Sequence, residues 1–464
     1  MSEAQELVTA ALDASTADGC VVVASEHTET NLRWAANSLT TNGQMRSRSL
    51  TVISTFDRAG GTSAGVVTRA VSSVEEVLEL VRASESTGRE AEPADDASPL
   101  VEAYESDDDW AAPAAETSVA VFDAFAPALG AAFERWRADD RLLFGFAEHA
   151  MTSYFLGTST GVRRRFDQPD GRLEVNGKSR DLGRSAWSGL HTQDFRDVDV
   201  DAVLGGLEQR LDWAVKRVDL PAGRYETILP PTAVADLMIY AYWTASGRDA
   251  EEGRSVYASG NGTTRIGERL SPLPLRLRSD PNRAGLECPP FELVTSSSGG
   301  LQSVFDNGQP VGPTDWITDG VLADLVRTRS WARETSTEPR PMVDNLILDG
   351  APDGGGPSLE QMIASTERGL LLTCLWYIRE VDPQTLLLTG LTRDGVYLVE
   401  NGEVQGAVNN FRFNESPIDL LGRVTEVGRT EPTLSREWAD FFRRTAMPAV
   451  RVPDFNMSTV SQAS

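Results

Sequence analysis

Three histidines, His27, His149 and His191, and three cysteines, Cys20, Cys288 and Cys374, are all the imidazole and thiol groups in the 464 residues. Hydrolytic metal chemistry needs two or three imidazole, carboxylate or thiolate groups converging on one ion. No two of these histidines stand four or five residues apart, so they cannot build an HExxH-type helix. His149 follows Glu148 at the end of an expected strand and reads as a satisfied or exposed side chain. The cysteines lie far apart and form no CxxC pair, which argues against a disulfide framework and a zinc ribbon alike; all three read as small buried apolar residues.

Nucleophilic catalysis by serine or cysteine requires a base held by a third group, and no G-x-S-x-G elbow is present. Thr295, Ser296, Ser297, Ser298, Gly299 and Gly300 read as a flexible loop. The glycine-rich stretches 60–65 and 354–356 lack the following Lys-Ser/Thr of a phosphate-binding loop, and Gly260-Asn261-Gly262 is a turn outside any dinucleotide fingerprint. An acidic run, Asp107, Asp108 and Asp109 with Glu102 and Glu105, is either a contact for metal or peptide or, as carboxylate runs usually are, a solvated face.

The elements that must position any such groups follow from length and pattern. A chain of this size with 40% hydrophobic residues can bury a large core and is expected to form two or three domains. The formal net charge of −26 disfavours nucleic acid as a partner and is compatible with a basic one. No stretch approaches the roughly 18 consecutive apolar residues of a membrane span, 370–378 included. Glu3 and Glu6 stand where a secretory signal would carry basic residues, so a cytoplasmic location is expected. Lysine is confined to Lys178 and Lys216, a bias of base composition or salt adaptation that carries no functional weight.

Residues 1–85 predict a small α/β domain: a helix over 3–14, strands over 20–25, 30–36, 49–56 and 63–69, and a closing helix. In that helix Ser73 and Glu76 have capping-box spacing, and Val74, Val77, Leu78 and Val81 form one apolar stripe. Residues 86–115 read as an acidic linker or loop. Residues 116–220 predict a helix bearing Phe122, Phe125, Leu129, Phe133 and Trp136, then an antiparallel meander with a Pro-Asp-Gly turn within 168–171, and a helix over 200–215. Residues 221–455 predict a β-rich C-terminal domain, opening with a strand over 225–229 that runs through Pro230 and Pro231 into an apolar helix over 232–245. Ser358 and Gln361 mark a further capped helix. Strands are expected over 371–378, 385–391 and 395–400, with Asn401-Gly402 as a tight turn. Residues 456–464 are small and polar and read as a frayed tail. The expected fold class is therefore α+β.

This order resembles the TldD/PmbA family, most closely in the C-terminal half. The segments that carry the resemblance are Ser255-Val256-Tyr257, Thr264-Arg265-Ile266-Gly267-Glu268-Arg269-Leu270 and 275–281, which look like the family stretch leading into an acidic strand. Phe305-Asp306-Asn307-Gly308 stands where the family has an Asp-Glu-Gly-like turn. The runs 377–383, Thr389-Gly390, 395–404 and Val408-Asn409-Asn410-Phe411-Arg412-Phe413 are similar to its glycine-rich β segment.

The resemblance implies a metal helix in mid-chain, since the catalytic TldD branch carries an HExxxH motif there. The corresponding helix in this sequence contains Ile239, Tyr240, Ala241, Tyr242, Trp243 and Thr244, with neither histidine nor glutamate. The cysteine ligand that the family also implies has no counterpart beyond Cys374, and 424–453 contains none. These departures match the PmbA/TldE branch. They imply a non-catalytic subunit of a cytoplasmic heterodimer acting on unfolded or small peptides, with no cofactor of its own and with zinc in a TldD-like catalytic subunit. The degenerate helix would then be packed, or would wall a peptide channel. Two alternatives are a homo-oligomeric peptide-processing enzyme with a different active site, and a peptide-binding scaffold.

Overall fold

The computed structural model describes residues 3–461 apart from 105, 108 and 297–299. Glu105, Asp108, the Ser297-Ser298-Gly299 part of the polar loop and residues 462–464 of the expected tail lie outside the described residues.

After α1 (Ala4–Ala14), four long strands build the first sheet: β1 (Gly19–Ala35), β2 (Ser38–Arg58), β4 (Arg141–Thr158) and β5 (Arg163–Ser179), flanked by β3 (Gly61–Arg69) and β6 (Ser185–Thr192) in the order β3-β2-β1-β4-β5-β6. All of its pairings are antiparallel. Two helical layers cover it. Near one end α1 and α2 (Val74–Glu90) pack Leu7, Val8, Val77, Leu80 and Val81 against Val22, Leu50 and Val52. Further along, α3 (Phe125–Ala138) and α4 (Val200–Trp213) set Leu129, Trp136, Leu204 and Leu207 against Leu143, Leu173 and Val175. The expected Ser73 cap is present, its hydroxyl accepting from the Glu76 N–H.

Three expectations change here. Residues 1–85 and 116–220 share this one sheet, because β1 pairs with β4 from Val21–Thr158 to Trp34–Gly145. The Pro-Asp-Gly sequence forms no turn: β5 runs straight through it, with Pro169 opposite Met151 and Gly171 opposite His149. Long-range pairing with β4 overrides the local turn preference. The segment after α2 is a strap on the sheet, tied by the Ala115 N–H to Ser153 Oγ (2.9 Å) and the Thr117 N–H to Thr28 Oγ1 (2.9 Å). Within it Asp107 is no free surface charge, since its carboxylate accepts from Arg164 Nη1 (2.5 Å) and the Arg165 N–H (2.7 Å).

The second sheet follows the order β13 (Val321–Leu322), β12 (Thr314–Thr318), β11 (Arg276–Ser279), β14 (Leu346–Asp349), β22 (Thr445–Val460), β8 (Gly223–Leu229), β15 (Arg368–Leu372), β18 (Val396–Glu400), β19 (Glu403–Val408) and β7 (Arg217–Val218). Off this path, β16 (Leu375–Asp382) pairs with β17 (Leu387–Thr392), β17 with β20 (Phe411–Glu415), and both β20 and β21 (Glu426–Thr433) with β22. A small hairpin of β9 (Ala258–Gly260) and β10 (Thr263–Thr264) stands apart. The helices of this half are α5 (Pro231–Trp243), α6 (Gly247–Glu251), α7 (Arg329–Thr335), α8 (Leu359–Ala364) and α9 (Pro417–Leu421). The fold is α+β.

Asn401 and Gly402 both take positive φ, 52° and 80°, as the tight turn between β18 and β19 requires. Ser358 and Gln361 form the reciprocal capping box of α8. The expected strand over 371–378 is two strands, β15 and β16, separated at Thr373 and Cys374. The tail also differs from expectation. β22 continues to Val460 with Phe455 and Met457 fully buried and Val460 opposite Phe411, so alternating burial holds a segment whose composition reads as loose.

Candidate functional site around helix α5

Helix α5 starts where the sequence places it. Pro230 caps it and Pro231 occupies the first turn, where a missing N–H costs nothing. Its residues are buried on every side, from Ala233 to Tyr242 with Tyr240 half-buried, so the apolar run marks a core helix rather than one with a wet face.

The six singled-out residues do not converge. Ile239 and Ala241 are sealed in the core. Tyr242 is 1% exposed, its ring 5.3 Å from Trp316 and 6.1 Å from Phe442. Its hydroxyl donates to the Val343 carbonyl (3.1 Å) and accepts from the Val343 N–H (2.8 Å). Burial pushes this phenol far above its ordinary range. Tyr240 and Trp243 both meet Trp438, at 5.5 and 5.2 Å between ring centroids. Thr244 returns its hydroxyl to the carbonyls of Tyr240 and Ala241. Of the six, Trp243 lines a cavity.

Asp236 on the same helix was missed by sequence reading, although a carboxyl inside so apolar a run is itself a signal. It is 0% exposed; Oδ1 accepts from the Glu437 N–H (2.8 Å) and Oδ2 has no partner. Burial raises its pKa well above the ordinary value, with the Glu437 charge adding to the effect. The Asp236 carbonyl accepts from Trp438 Nε1 (2.8 Å). Residues 437 and 438 are thereby fastened to α5.

Beyond Trp243 lies a cavity of about 330 Å³ between the two sheets, lined by Tyr154 and Gln168 from the first sheet and by Glu292, Asp344 and Arg444 from the second half. Asp170 of β5 meets Arg444 (3.0 Å), Arg443 (3.5 Å) and His191 (3.5 Å), and Arg444 also pairs with Asp344. Arg443 reaches Glu148 at 2.9 Å, and Arg172 contacts Glu174 (3.4 Å) and Asp440 (2.5 Å). Burial alone would raise the Asp170 carboxyl, but His191, Arg444 and Arg443 outweigh it and hold it well below the usual range. Glu292 behaves oppositely. Sealed at 4% exposure and bonded to Gln302 (3.2 Å), it is pushed up to about 8 by burial, with Asp306 adding repulsion. The cavity thus holds a carboxyl that keeps its proton near neutrality beside a fixed Arg–Asp network.

The histidines stay separate in role. His27 Nδ1 meets Thr152 Oγ1 (2.9 Å). His149 lies between Thr117 Oγ1 and the Gln193 carbonyl (2.6 Å each), and burial lowers its pKa. All three cysteines are buried free thiols, and burial raises the Cys374 thiol.

Residues 222–459 match the family model described as the PmbA/TldA metallopeptidase C-terminal domain. The chain belongs to the TldD/PmbA family. Three solved structures share the TldD/PmbA fold over nearly their whole length. TldE from Thermococcus kodakarensis has a TM-score of 0.78 at 16% identity, covering 97% of this chain and 99% of that one. A proposed modulator of a DNA gyrase from Thermotoga maritima gives 0.72 at 17%, covering 97% and 98%. Another, from Bacteroides thetaiotaomicron, gives 0.75 at 13%, covering 98% of each. A search of curated proteins finds no match.

The metal that the TldD/PmbA resemblance implies does not fit these residues. Side chains of Ile239, Ala241 and Trp243 offer no donor atom for an ion, and the Tyr242 oxygen is occupied by Val343. Among the described residues no group of three or more His, Cys, Asp and Glu is placed to hold a metal. No helix among them is long and apolar enough to cross a membrane.

Proposed function

We propose that this chain is the non-catalytic, TldE-like subunit of a cytoplasmic heterodimer, in which a TldD-like partner holds the zinc and cleaves unfolded or small peptides. The observation that carries this reading is the packing of α5: at the helix where the catalytic branch is expected to present two histidines and a glutamate, every turn here is committed to core contacts or to Trp438. This chain would then enclose part of the peptide channel and leave the chemistry to its partner. Nucleic acid has no place in the scheme, given the net charge of −26.

The test is affinity purification of the chain from its native host, with mass spectrometry and metal analysis of the eluate. A stoichiometric HExxxH-bearing relative carrying zinc is the expected result. A homo-oligomer that cleaves peptides without that relative overturns the proposal. One observation favours such a second reading, an independent enzyme: the cavity that brings protonatable Glu292 near Asp344 and Arg444. In that case Glu292→Gln abolishes cleavage by the isolated chain, whereas the subunit reading expects no cleavage to abolish.

A further inference from the structure

A cavity of about 580 Å³ lies between β6 and α4 on one side and the second sheet on the other. Arg210 of α4 lines it. This arginine is partly exposed, and it differs from Arg172, Arg443, Arg444 and Arg451, each of which meets two or more carboxylates. Arg210 meets none among the described residues. Its Nη1 donates to the Trp187 carbonyl (2.6 Å). A guanidinium has five N–H donors, so most of this one is left for whatever enters the cavity.

The surroundings define the ligand. Trp187, Trp213, Leu359, Ile363, Leu371 and Val404 put apolar surface on walls that are otherwise polar. β6 is the last strand of the first sheet, with no strand paired on its far side among the described residues, and Trp187, Ser188 and Gly189 of this edge line the cavity. Such an edge can pair with an extended chain. The first turn of α5, a 13-residue helix, opens on the same space through Pro231 and Thr232 and turns its positive end toward it. Against these stand three carboxylates on the wall, Glu360 and Glu403 exposed and Glu431 paired with Arg429. They oppose a multiply charged anion such as a phosphate ester and tolerate a single carboxylate attached to a chain with a neutral or positive remainder.

We propose that this cavity is a subsite for the C-terminal carboxylate of a short peptide with an apolar last residue, Arg210 pairing with the carboxylate and the β6 edge receiving the backbone. The proposal rests on the peptide-handling part of the reading above. It would make this subunit a selector of free chain ends, as expected of a complex that takes small or already cleaved peptides.

Isothermal titration calorimetry on the full chain tests it with N-acetyl-Ala-Ala-Leu as the free acid, the same peptide as its C-terminal amide, and inorganic phosphate. The acid is expected to bind about 10-fold or more tightly than the amide, the scale of one charge-assisted pair. Arg210→Met should bring the acid to the amide's level and leave the amide unchanged, while Arg210→Lys retains part of the preference. Should the methionine variant fail to fold, the acid-to-amide ratio on the unaltered chain decides alone. Equal binding of acid and amide, binding of neither, or Arg210-dependent binding of phosphate in place of the peptide overturns the proposal. The outcome is separable from the subunit assignment. Acid-selective binding without a copurifying TldD-like partner sinks the subunit reading and spares this one; a partner without acid selectivity does the reverse.

Discussion

Replacing Tyr242 by phenylalanine removes one buried oxygen atom near the C-terminal end of α5. The ring and its contacts with Trp316 and Phe442 remain, so no appreciable cavity opens. The hydroxyl, however, serves both the N–H and the carbonyl of Val343, a residue 1% exposed. Each buried backbone group left without a partner costs about 1–3 kcal/mol, and the less polar ring recovers part of that, so the net loss is about 2–3 kcal/mol. Urea unfolding should report that loss. Hydrogen exchange read by mass spectrometry over 340–348 should accelerate by roughly 30- to 150-fold if local opening carries it. A change under about 0.5 kcal/mol with unaltered exchange at Val343 would falsify the view that this phenol is a structural strut, and would free it for a role in a channel.

Tyr240→Ala is expected to cost less, about 1–2 kcal/mol, because its half-buried ring leans on Trp438 alone among the aromatics; lost peptide capture at unchanged stability would assign it to a channel wall instead. Glu292→Gln should act through pH. With its native pKa raised from 4.5 to about 8, Glu292 binds more protons folded than unfolded between those values, so stability falls as pH rises, by roughly 3 kcal/mol from pH 4.5 to 7. The glutamine variant should lose that slope and melt higher than the natural chain at pH 8 but not at pH 4, and parallel profiles would refute the assignment. Asp170→Asn should cost about 1–3 kcal/mol at pH 7, because it takes one carboxylate from Arg443 and Arg444 and leaves them Glu148 and Asp344. Its depressed native pKa means that the contribution of Asp170 is complete above the unfolded carboxyl range and is lost as pH falls through the native value. The asparagine variant should therefore show a smaller decline in acid.

Helix α5, the caps at Ser73 and Ser358 and the Asn401-Gly402 turn were legible because each is decided within a few residues. What was not legible depends on partners far along the chain. Nothing local tells Pro169-Asp170-Gly171 to stay extended; β4 and the guanidinium groups of Arg443 and Arg444, over 270 residues away, do so. The tail past Asn456 looks loose until Phe413 and Glu415 are seen to meet Met457 and the Asn456 N–H. Arg210 carried no motif at all, since its meaning lies in the carboxylate it does not have. The family resemblance drew attention to α5, yet spacing alone did not reveal that the Asp236 carboxyl is fully buried within it.

The segment 436–444 connects these observations. Glu437 takes Asp236 through its N–H and, through its own carboxylate, the N–H groups of Tyr377 and Ile378; Trp438 caps Tyr240 and Trp243. Six residues on, Arg443 and Arg444 cross to Glu148 and Asp170 on the first sheet. One short stretch therefore clamps α5 at one end and the opposing sheet at the other, through the rings and the buried carboxyl that α5 presents. A metal-binding helix must leave two side chains free to face an ion. In this chain Tyr240 and Trp243 hold the clamp in place, so histidine and glutamate introduced at 239–244 would loosen the clamp between the two sheets before they created a site.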